Sequence, residues 1–322
     1  MKANYLGLIV CWCFCTSCAT RSVQTEVTPS PVIKLTESVP PSVHLSSLKK
    51  NIENTDLKKN NEEKAPKKRI VVLPFVDSKQ QYSSDILKKA QLGFIDQLNA
   101  TEEVVAIEAS QLKYDVSQSF KNGRYDLPGI IRQIQSEGVS AVLSGQIDDI
   151  RLVKSKTAAF EVVVRAQMLS VRSEQEIFHT LKTVKLSDES IAMPAEVSAE
   201  NFFKRNPELV QLMIQDAFND FSDKLIESLA EVTWEGRIAA VQGEKIFLNV
   251  GKISGVQVGD ILKVVEDGSE VYDPEIGYHI GQVPGRIKGT LEVIGYFGQD
   301  GAISILHSGA GFKENDRIEL YQ

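Results

Sequence analysis

Thiol chemistry in this chain is confined to its first eighteen residues, which hold all four cysteines: Cys11, Cys13, Cys15 and Cys18. Lys2 gives this segment a positive start, an apolar run follows at 5–15, and the small residues Thr16 and Ser17 stand just before Cys18. A basic start, a short apolar run and small residues at the cleavage point are typical of a secretory signal peptide. The run is too short to cross a bilayer as a helix, which needs about 20 apolar residues.

The stretch Cys15-Thr16-Ser17-Cys18 resembles the lipobox of bacterial lipoproteins, with Cys15 where that family usually has Leu. The resemblance implies a signal peptide over 1–17, cleavage before Cys18, and acylation of Cys18 as a lipid attachment site. Three acyl chains would anchor the protein firmly, because each buried methylene contributes about 0.8 kcal/mol. Ala19, in place of Asp, implies sorting to the outer membrane, on its periplasmic side. A soluble secreted protein with a cysteine-rich leader is the alternative.

The charge balance argues against nucleic acid as a partner. The chain has 36 Lys and Arg against 43 Asp and Glu, a net charge of −7, whereas nucleic-acid binding normally requires a basic face. The mature chain would hold a single, acylated cysteine and therefore no disulfide. The four histidines are scattered, and none has metal-ligand spacing to a cysteine. We therefore expect no metal, no other cofactor and no catalytic residues.

Two sets of carboxylates are the remaining candidates for chemistry. Asp148 and Asp149 are adjacent at the end of a predicted strand, facing opposite sides, and a solvated sheet edge is the simpler interpretation of them. Asp267, Asp273 and Glu275 fall in one acidic loop. Their spacing does not match a calcium-binding loop, so weak calcium binding there is only an alternative.

The segment 18–67 is predicted to be a lipidated, disordered tether. It is rich in Ser, Thr, Lys, Asn and Glu, lacks any aromatic residue, and contains no sustained apolar period. Such a segment cannot bury enough apolar surface to offset the entropy of ordering it. As a coil of about 50 residues it spans roughly 40 Å, and in an extended polyproline conformation it reaches about 150 Å. The tether would hold a folded body away from the membrane.

An α/β domain is predicted over 68–232. Continuous apolar runs predict buried strands at 69–75, 104–107 and 141–150, and alternating runs at 160–171 and 177–186 predict a hairpin. Apolar residues at helical spacing predict a helix capped by Ser83 or Ser84 and a second helix at 127–138. A single long helix is expected from Pro207 to Leu229, capped by Asn206. This order predicts a mixed sheet.

A β domain is predicted over 233–322, where the sequence pattern changes to short predicted strands separated by glycine-rich turns. The strands are expected at 237–241, 245–250, 260–265, 287–294, 302–306 and 317–321, which suggests a small barrel or sandwich. Two turns, ending at Asp260 and Asp316, look alike: in each, Gly or Asn can adopt positive φ and the Asp can bond amides of the turn. The predicted fold class is α+β, an α/β-type mixed-sheet domain followed by a small all-β barrel-like domain.

The β domain resembles the C-terminal domain of the flagellar H-ring protein FlgT. The matching segments are GRI at 236–238, IFLNVG at 246–251, GVQVGD at 255–260, DPEIG at 273–277 and the closing 312–318. The α/β domain resembles the middle domain of that family, the amino-terminal domain of TolB and the core of the curli secretion lipoprotein CsgG. The segments that carry this resemblance are 71–75, 143–145 and 171–177. In FlgT a further folded domain stands where this chain has the tether.

The favoured function is a structural or assembly scaffold in the periplasm, anchored to the outer membrane and without enzyme activity. The expected partners are periplasmic proteins, including the flagellar basal body of an H-ring-like structure, and further copies of the chain in a homo-oligomeric ring. A CsgG-like secretion pore is an alternative, but the inserts at 151–157 and 187–205 are too short or too polar for membrane hairpins. A periplasmic ligand-binding protein or an enzyme is a third alternative and would require a convergent polar pocket.

Overall fold

A mixed sheet forms the first half of the computed structural model, which describes residues 65–153, 158–188, 199–283 and 285–321. Five strands lie in the order β3-β1-β6-β7-β8, and β2 pairs with β6 beyond the end of β1. β1 runs parallel to β3 and β6, whereas β6, β7 and β8 are antiparallel. The strands are β1 Lys68–Val72, β2 Val76–Asp77, β3 Val104–Glu108, β6 Ala141–Val153, β7 Ala158–Ser170 and β8 Glu176–Asp188, and a small hairpin comprises β4 Phe120–Lys121 and β5 Arg124–Tyr125.

Helices cover the sheet on both faces. Helix α1 begins at Ser84, where the side chain of Ser83 accepts a hydrogen bond from the amide of Ile86, as its sequence position predicts. A separate cluster on the other face is built around α2, whose amino terminus is capped by Asp126. The helices are α1 Ser84–Ala100, α2 Leu127–Ile134, α3 Ala199–Arg205, α4 Pro207–Asn219 and α5 Ser222–Leu229.

The single helix predicted from Pro207 to Leu229 is wrong, because the chain breaks between α4 and α5. Phe221 leaves the helical conformation (φ −121°, ψ 10°), and Ser222 Oγ donates a hydrogen bond to the carbonyl of Asn219. The break lets the Phe221 ring reach the core, where it lies 5.5 Å from the ring of Phe218. Leu212, expected on the buried stripe, is instead exposed, and α4 buries Val210, Ile214 and Ala217.

The larger core is centred on aromatic rings that pack directly on the sheet backbone. The rings of Phe75 and Phe218 stack with centroids 4.1 Å apart. They approach β6 at Gly145, where an added Cβ would come within 2.8 Å of both rings. Glycine is therefore required at this position for close packing, since real Cβ atoms do not tolerate such distances.

A closed six-stranded antiparallel barrel forms the second half, in the order β10-β15-β14-β11-β16-β9. This confirms the predicted fold class, and the predicted strands all belong to the barrel. The sequence did not reveal a further hairpin, β12–β13, whose two strands pair with each other. The strands are β9 Gly236–Gln242, β10 Lys245–Leu248, β11 Ile261–Val265, β12 Ser269–Tyr272, β13 His279–Val283, β14 Ile287–Phe297, β15 Gly301–Gly309 and β16 Arg317–Leu320.

The two look-alike turns have the predicted construction. Asp260 accepts a hydrogen bond from the amide of Gln257 at 2.7 Å, and Asp316 accepts one from the amide of Lys313 at 2.8 Å. Gly259 and Asn315, each preceding the Asp, have φ of +96° and +70°. The two turns occupy equivalent places in the barrel, because each comes directly before a barrel strand: the first before β11 and the second before β16.

Candidate functional site

Cys18, the predicted lipid attachment site, lies outside the described residues, as do the predicted signal peptide and almost all of the tether. The carboxylates singled out in the sequence do lie in the described part of the chain. Within that part, no helix combines the length and apolar character needed to cross a membrane.

The interpretation of Asp148 and Asp149 as a solvated strand end is corrected. Both lie inside β6, which continues to Val153, at a bulge in its pairing with β7. Asp148 accepts a hydrogen bond from Arg165 at 3.0 Å, and Asp149 accepts bonds from Lys79 and Arg151 at 2.5 Å. Burial opposes ionisation of both carboxyls, but these bonds outweigh it and lower each pKa. We call these five residues the sheet cluster.

The acidic loop does not form a shared ligand set. Asp273 accepts hydrogen bonds from the amides of Glu275 and Ile276 and so closes the turn between β12 and β13. Asp267 instead points to two arginines of the barrel. Among the described residues, no group of three or more His, Cys, Asp or Glu side chains is placed to hold a metal ion.

A second charged cluster lies where the barrel meets the sheet domain. Three neighbouring barrel strands supply it, since Arg237 of β9 stands opposite Arg317 of β16, and Glu319 of β16 stands opposite Lys263 of β11. These side chains alternate with residues such as Ile318 that fill the barrel core. The whole set, which we call the junction cluster, is Arg172, Glu235, Arg237, Lys263, Asp267, Arg317 and Glu319.

Arg237 joins the barrel to the sheet domain. Its side chain is buried and donates hydrogen bonds to the carbonyl of Gln135 at 2.7 Å, to the carbonyl of Asn315 at 3.1 Å and to Asp267 at 2.5 Å. Gln135 belongs to the sheet domain, directly after α2, so this guanidinium connects the two domains. Its Nε atom is buried and has no hydrogen-bond partner among the residues that the structure describes.

Glu319 receives cations from both domains. Its carboxylate lies 3.1 Å from Arg172 of the β7–β8 turn, 3.0 Å from Lys263 and 3.0 Å from Arg317. Burial opposes ionisation, but the hydrogen bond from Lys263 and the charges of the two arginines prevail, so the pKa of Glu319 is lowered.

Glu235 is the least favourably placed carboxyl of the junction cluster. Burial raises its pKa despite the opposing charges of Arg237 and Arg317. Those guanidinium groups lie 3.8 and 3.9 Å away, beyond direct hydrogen-bond distance. Burial therefore outweighs pairing here, whereas pairing outweighs burial at Glu319.

A second set of bonds fixes the other side of the same junction. Arg69 of β1 donates to the carbonyl of Asn249 at 2.9 Å and to Asp300 at 3.0 Å. Asn249 donates in turn to the carbonyl of Glu137 at 3.1 Å. Because bonds cross the junction at separate points, it resists rotation better than a single contact would.

The sequence contained a signal for the junction cluster that had not been recognised. Glu235 and Arg237 are two residues apart, and so are Arg317 and Glu319. Opposite charges at this spacing share one face of a strand. Two such pairs on short strands of a barrel, beside a domain boundary, indicate a charged interface.

The hairpin β12–β13 presents three highly exposed large apolar side chains, two of which are the most exposed of their kind among the described residues. Ile276 is 78% exposed, Tyr278 69% and Ile280 61%. Neither strand pairs with a barrel strand in the part of the chain that the structure describes. We call residues 269–283 the arm. Clustered exposed apolar side chains and unpaired strand edges mark sites of protein contact.

No protein-family model matches the chain, and no curated protein matches it. Solved structures with partial similarity include the hypothetical protein CT253 from Chlamydia trachomatis, with 13% identity over 51% of this chain and 98% of that one and a TM-score of 0.37. Lipoprotein GNA1162 from Neisseria meningitidis has 13% sequence identity over 48% of this chain and 99% of that one, with a TM-score of 0.29. PelC from Paraburkholderia phytofirmans, described as a dodecamer, has 12% sequence identity over 47% of this chain and 84% of that one, with a TM-score of 0.29. TM-scores this low do not establish a common fold.

Proposed function

We propose that this protein is a lipid-anchored periplasmic lipoprotein that acts as a binding scaffold and not as an enzyme. The exposed arm is the observation that carries the proposal. Its apolar side chains stand on a hairpin outside both cores, where they contribute little to folding and are available to a partner. The segment before Cys18 supports the anchor, because its sequence resembles a lipobox.

The bonded junction supports a scaffold role. Arg237 and Arg69 bind backbone carbonyls across the junction, so the sheet domain and the barrel are held in a fixed relation. A rigid body presents the arm in one orientation, which lowers the entropy lost on binding. The acidic side chains Asp273 and Glu275 flank the apolar tip and favour a partner with an apolar patch and a basic rim.

The finer proposal is that the partner belongs to a ring around the flagellar basal body, on the outer-membrane side. It depends on the resemblance of the barrel sequence to FlgT. Specific interfaces of this kind bury more than about 1,000 Å², so the arm would supply only part of the contact area.

Site-specific photocrosslinking tests the scaffold proposal. A photoreactive amino acid replaces Tyr278 in the full chain, with the same replacement at Leu212, an exposed apolar residue of α4, as matched control. We expect a discrete adduct in the membrane fraction from position 278 that is absent from position 212 and is lost when Ile276→Ser and Ile280→Ser are added. The same adducts from both positions, or none from position 278, would contradict the arm as a docking surface.

Two further measurements separate the anchor from the flagellar role. Cys18→Ser should release the protein from the membrane fraction, and mass spectrometry should find acyl chains on a peptide that begins at Cys18. Purified basal bodies should contain the adduct from position 278. Recovery of the adduct elsewhere would remove the flagellar role and leave the scaffold intact.

A further inference from the structure

Four residues of the junction cluster line an open cavity with more cationic than anionic groups on its walls. The cavity has a volume of about 290 Å³ and is lined by Arg172, Lys263, Arg317 and Glu319, with Val265 and Ile287 as apolar walls. Three cations and one carboxylate therefore line the cavity, and Arg317 also contacts Asp267 at 3.3 Å behind the wall. The protein as a whole has a net charge of −7, so a cavity lined mostly by cations is opposite in sign to the rest of the molecule.

The bonds around Glu319 leave donors available. Each of the three cations is bound to the same carboxylate at 3.0–3.1 Å. An arginine has five N–H donors and a lysine has three, so Glu319, even with Asp267 3.3 Å from Arg317, cannot satisfy all of them. The cavity is where an additional acceptor would meet these donors.

A neighbouring small cavity supplies an independent observation. It shares Arg172, Gly268 and Arg317 with the larger one and is also lined by Arg237 and by the carboxylates Glu235 and Asp267. Arg237 is only 5% exposed, and its Nε–H has no hydrogen-bond partner within the described part of the chain. A buried donor without a partner costs free energy, and an acceptor in the small cavity would remove that cost.

We propose that this cavity binds the phosphate group of a small molecule. A phosphate monoester carries about −1.5 to −2 charges near neutral pH, and Arg172, Lys263 and Arg317 on the cavity walls supply the opposing charge. Arginine pairs bind phosphate oxygens with good geometry. The volume lies at the low end for ligand pockets, which are about 300–1,000 Å³, so the site accepts phosphate with a small substituent. The ligand would touch Arg172 of the sheet domain and Lys263 of the barrel and so bridge the junction.

Calorimetric titration of the full chain tests the proposal, at neutral pH and low ionic strength. The probes are inorganic phosphate, glycerol 3-phosphate as a small ester, and acetate as a singly charged control. We expect saturable binding of at least one phosphate probe and weaker binding of acetate. Preference for the ester identifies a phosphate-bearing metabolite or lipid headgroup as the ligand, and preference for inorganic phosphate identifies the free ion.

Two substitutions with opposite expected effects make the outcome decisive. Lys263→Gln should weaken phosphate binding by about tenfold or more, since it removes one charged donor. Glu319→Gln should strengthen binding, because it removes the competing carboxylate while it weakens the junction itself. Lys245→Gln, an exposed position on β10 away from both cavities, is the matched control and should bind as the wild type does.

A loss of folding cannot imitate this pattern, because a damaged protein does not bind phosphate more tightly. Absence of saturable binding, equal binding of acetate and phosphate, or no gain from Glu319→Gln would overturn the proposal and leave the junction cluster as a purely structural contact. None of these results bears on crosslinking from the arm, so the scaffold proposal is tested separately.

Discussion

The sheet cluster and the junction cluster use the same kinds of side chain and each has one cation more than it has carboxylates, but they pair their charges differently. In the sheet cluster each aspartate has its own cations: Arg165 for Asp148, and Lys79 with Arg151 for Asp149. In the junction cluster three cations share Glu319, while Glu235 is buried with a raised pKa. A locally paired, partly exposed cluster is explained by solubility and local stability. In the junction cluster Arg237, Arg317 and Glu319 are buried at a domain contact, where charges shared among several partners cost more free energy than locally paired ones.

The largest effect is expected from Arg237→Met, which keeps the bulk of the side chain but removes its donors. The carbonyl of Gln135 loses its partner from the barrel, and Asp267 loses one of two cations. Removing one partner of a fully buried charged contact costs about 3–5 kcal/mol, and because the Asp267 side chain is 46% exposed we expect a loss of about 3 kcal/mol, at the lower end of that range. Chemical denaturation should show this loss in the free energy of unfolding, and proteolysis should cut between the domains more readily than in the wild type.

Glu319→Gln should give the next largest effect. The neutral amide keeps the shape but weakens three charged hydrogen bonds or ion pairs, and one charged hydrogen bond contributes about 1.5–3 kcal/mol. Because the folded-state pKa of Glu319 is lowered, its contribution is present above its unfolded pKa and is lost as pH falls through its folded pKa. The difference in unfolding free energy between wild type and variant should therefore shrink in acid. If the difference in unfolding free energy stayed constant down to low pH, the pKa of Glu319 would not be lowered in the folded protein.

Arg165→Met in the sheet cluster is the matched counterpart of Arg237→Met. Arg165 also has a buried Nε without a partner, but its pair with Asp148 is partly exposed and Asp148 keeps bonds from Ser78 and Gln146. We expect a loss of about 1 kcal/mol, in line with partly solvated ion pairs. A loss as large as that of Arg237→Met, measured by the same denaturation, would remove the distinction between the two clusters.

Local sequence patterns predict much of this fold but not its junction. Ser83 ahead of an apolar helical period predicts where α1 begins, and Asp260 after Gly259 predicts a turn, because these signals act within a few residues. The break at Phe221 depends on a core built by Phe94 and Phe218, which are distant in sequence from each other. The arm was missed for a similar reason: alternation at 269–283 is weak, and its strands are defined by pairing with each other.

The candidate site was harder to predict than the elements. Arg172 and Glu319 are 147 positions apart and meet only because the barrel docks against the β7–β8 turn. Charge spacing on β9 and β16 reveals a shared face, but not what that face contacts. The sequence shows no convergent polar pocket, because residues that meet only at a contact between domains cannot be recognised from their positions in the chain.

The smallest effect at neutral pH is expected from Glu235→Gln, and it provides the sharpest contrast with Glu319→Gln. Burial raises the folded-state pKa of Glu235 above its usual value of 4.5, so the folded protein binds the proton more readily than the unfolded chain does. Glu235 therefore lowers stability as pH rises from the unfolded pKa through the folded one. A neutral amide avoids this cost, and at neutral pH the variant should be as stable as the wild type or more stable.

Denaturation at a series of pH values checks this directly. The unfolding free energy of Glu235→Gln, relative to wild type, should increase as pH rises through the raised pKa and then level off, whereas that of Glu319→Gln should decrease over the acid range and then level off. The two carboxyls lie in one cluster, so opposite slopes would show that burial governs one and pairing governs the other. A loss of stability at neutral pH in both variants would mean that Arg237 and Arg317 pair with Glu235 more strongly than their separations of 3.8 and 3.9 Å indicate. The cationic surplus at the cavity would then be smaller, and the case for a bound phosphate group would weaken with it.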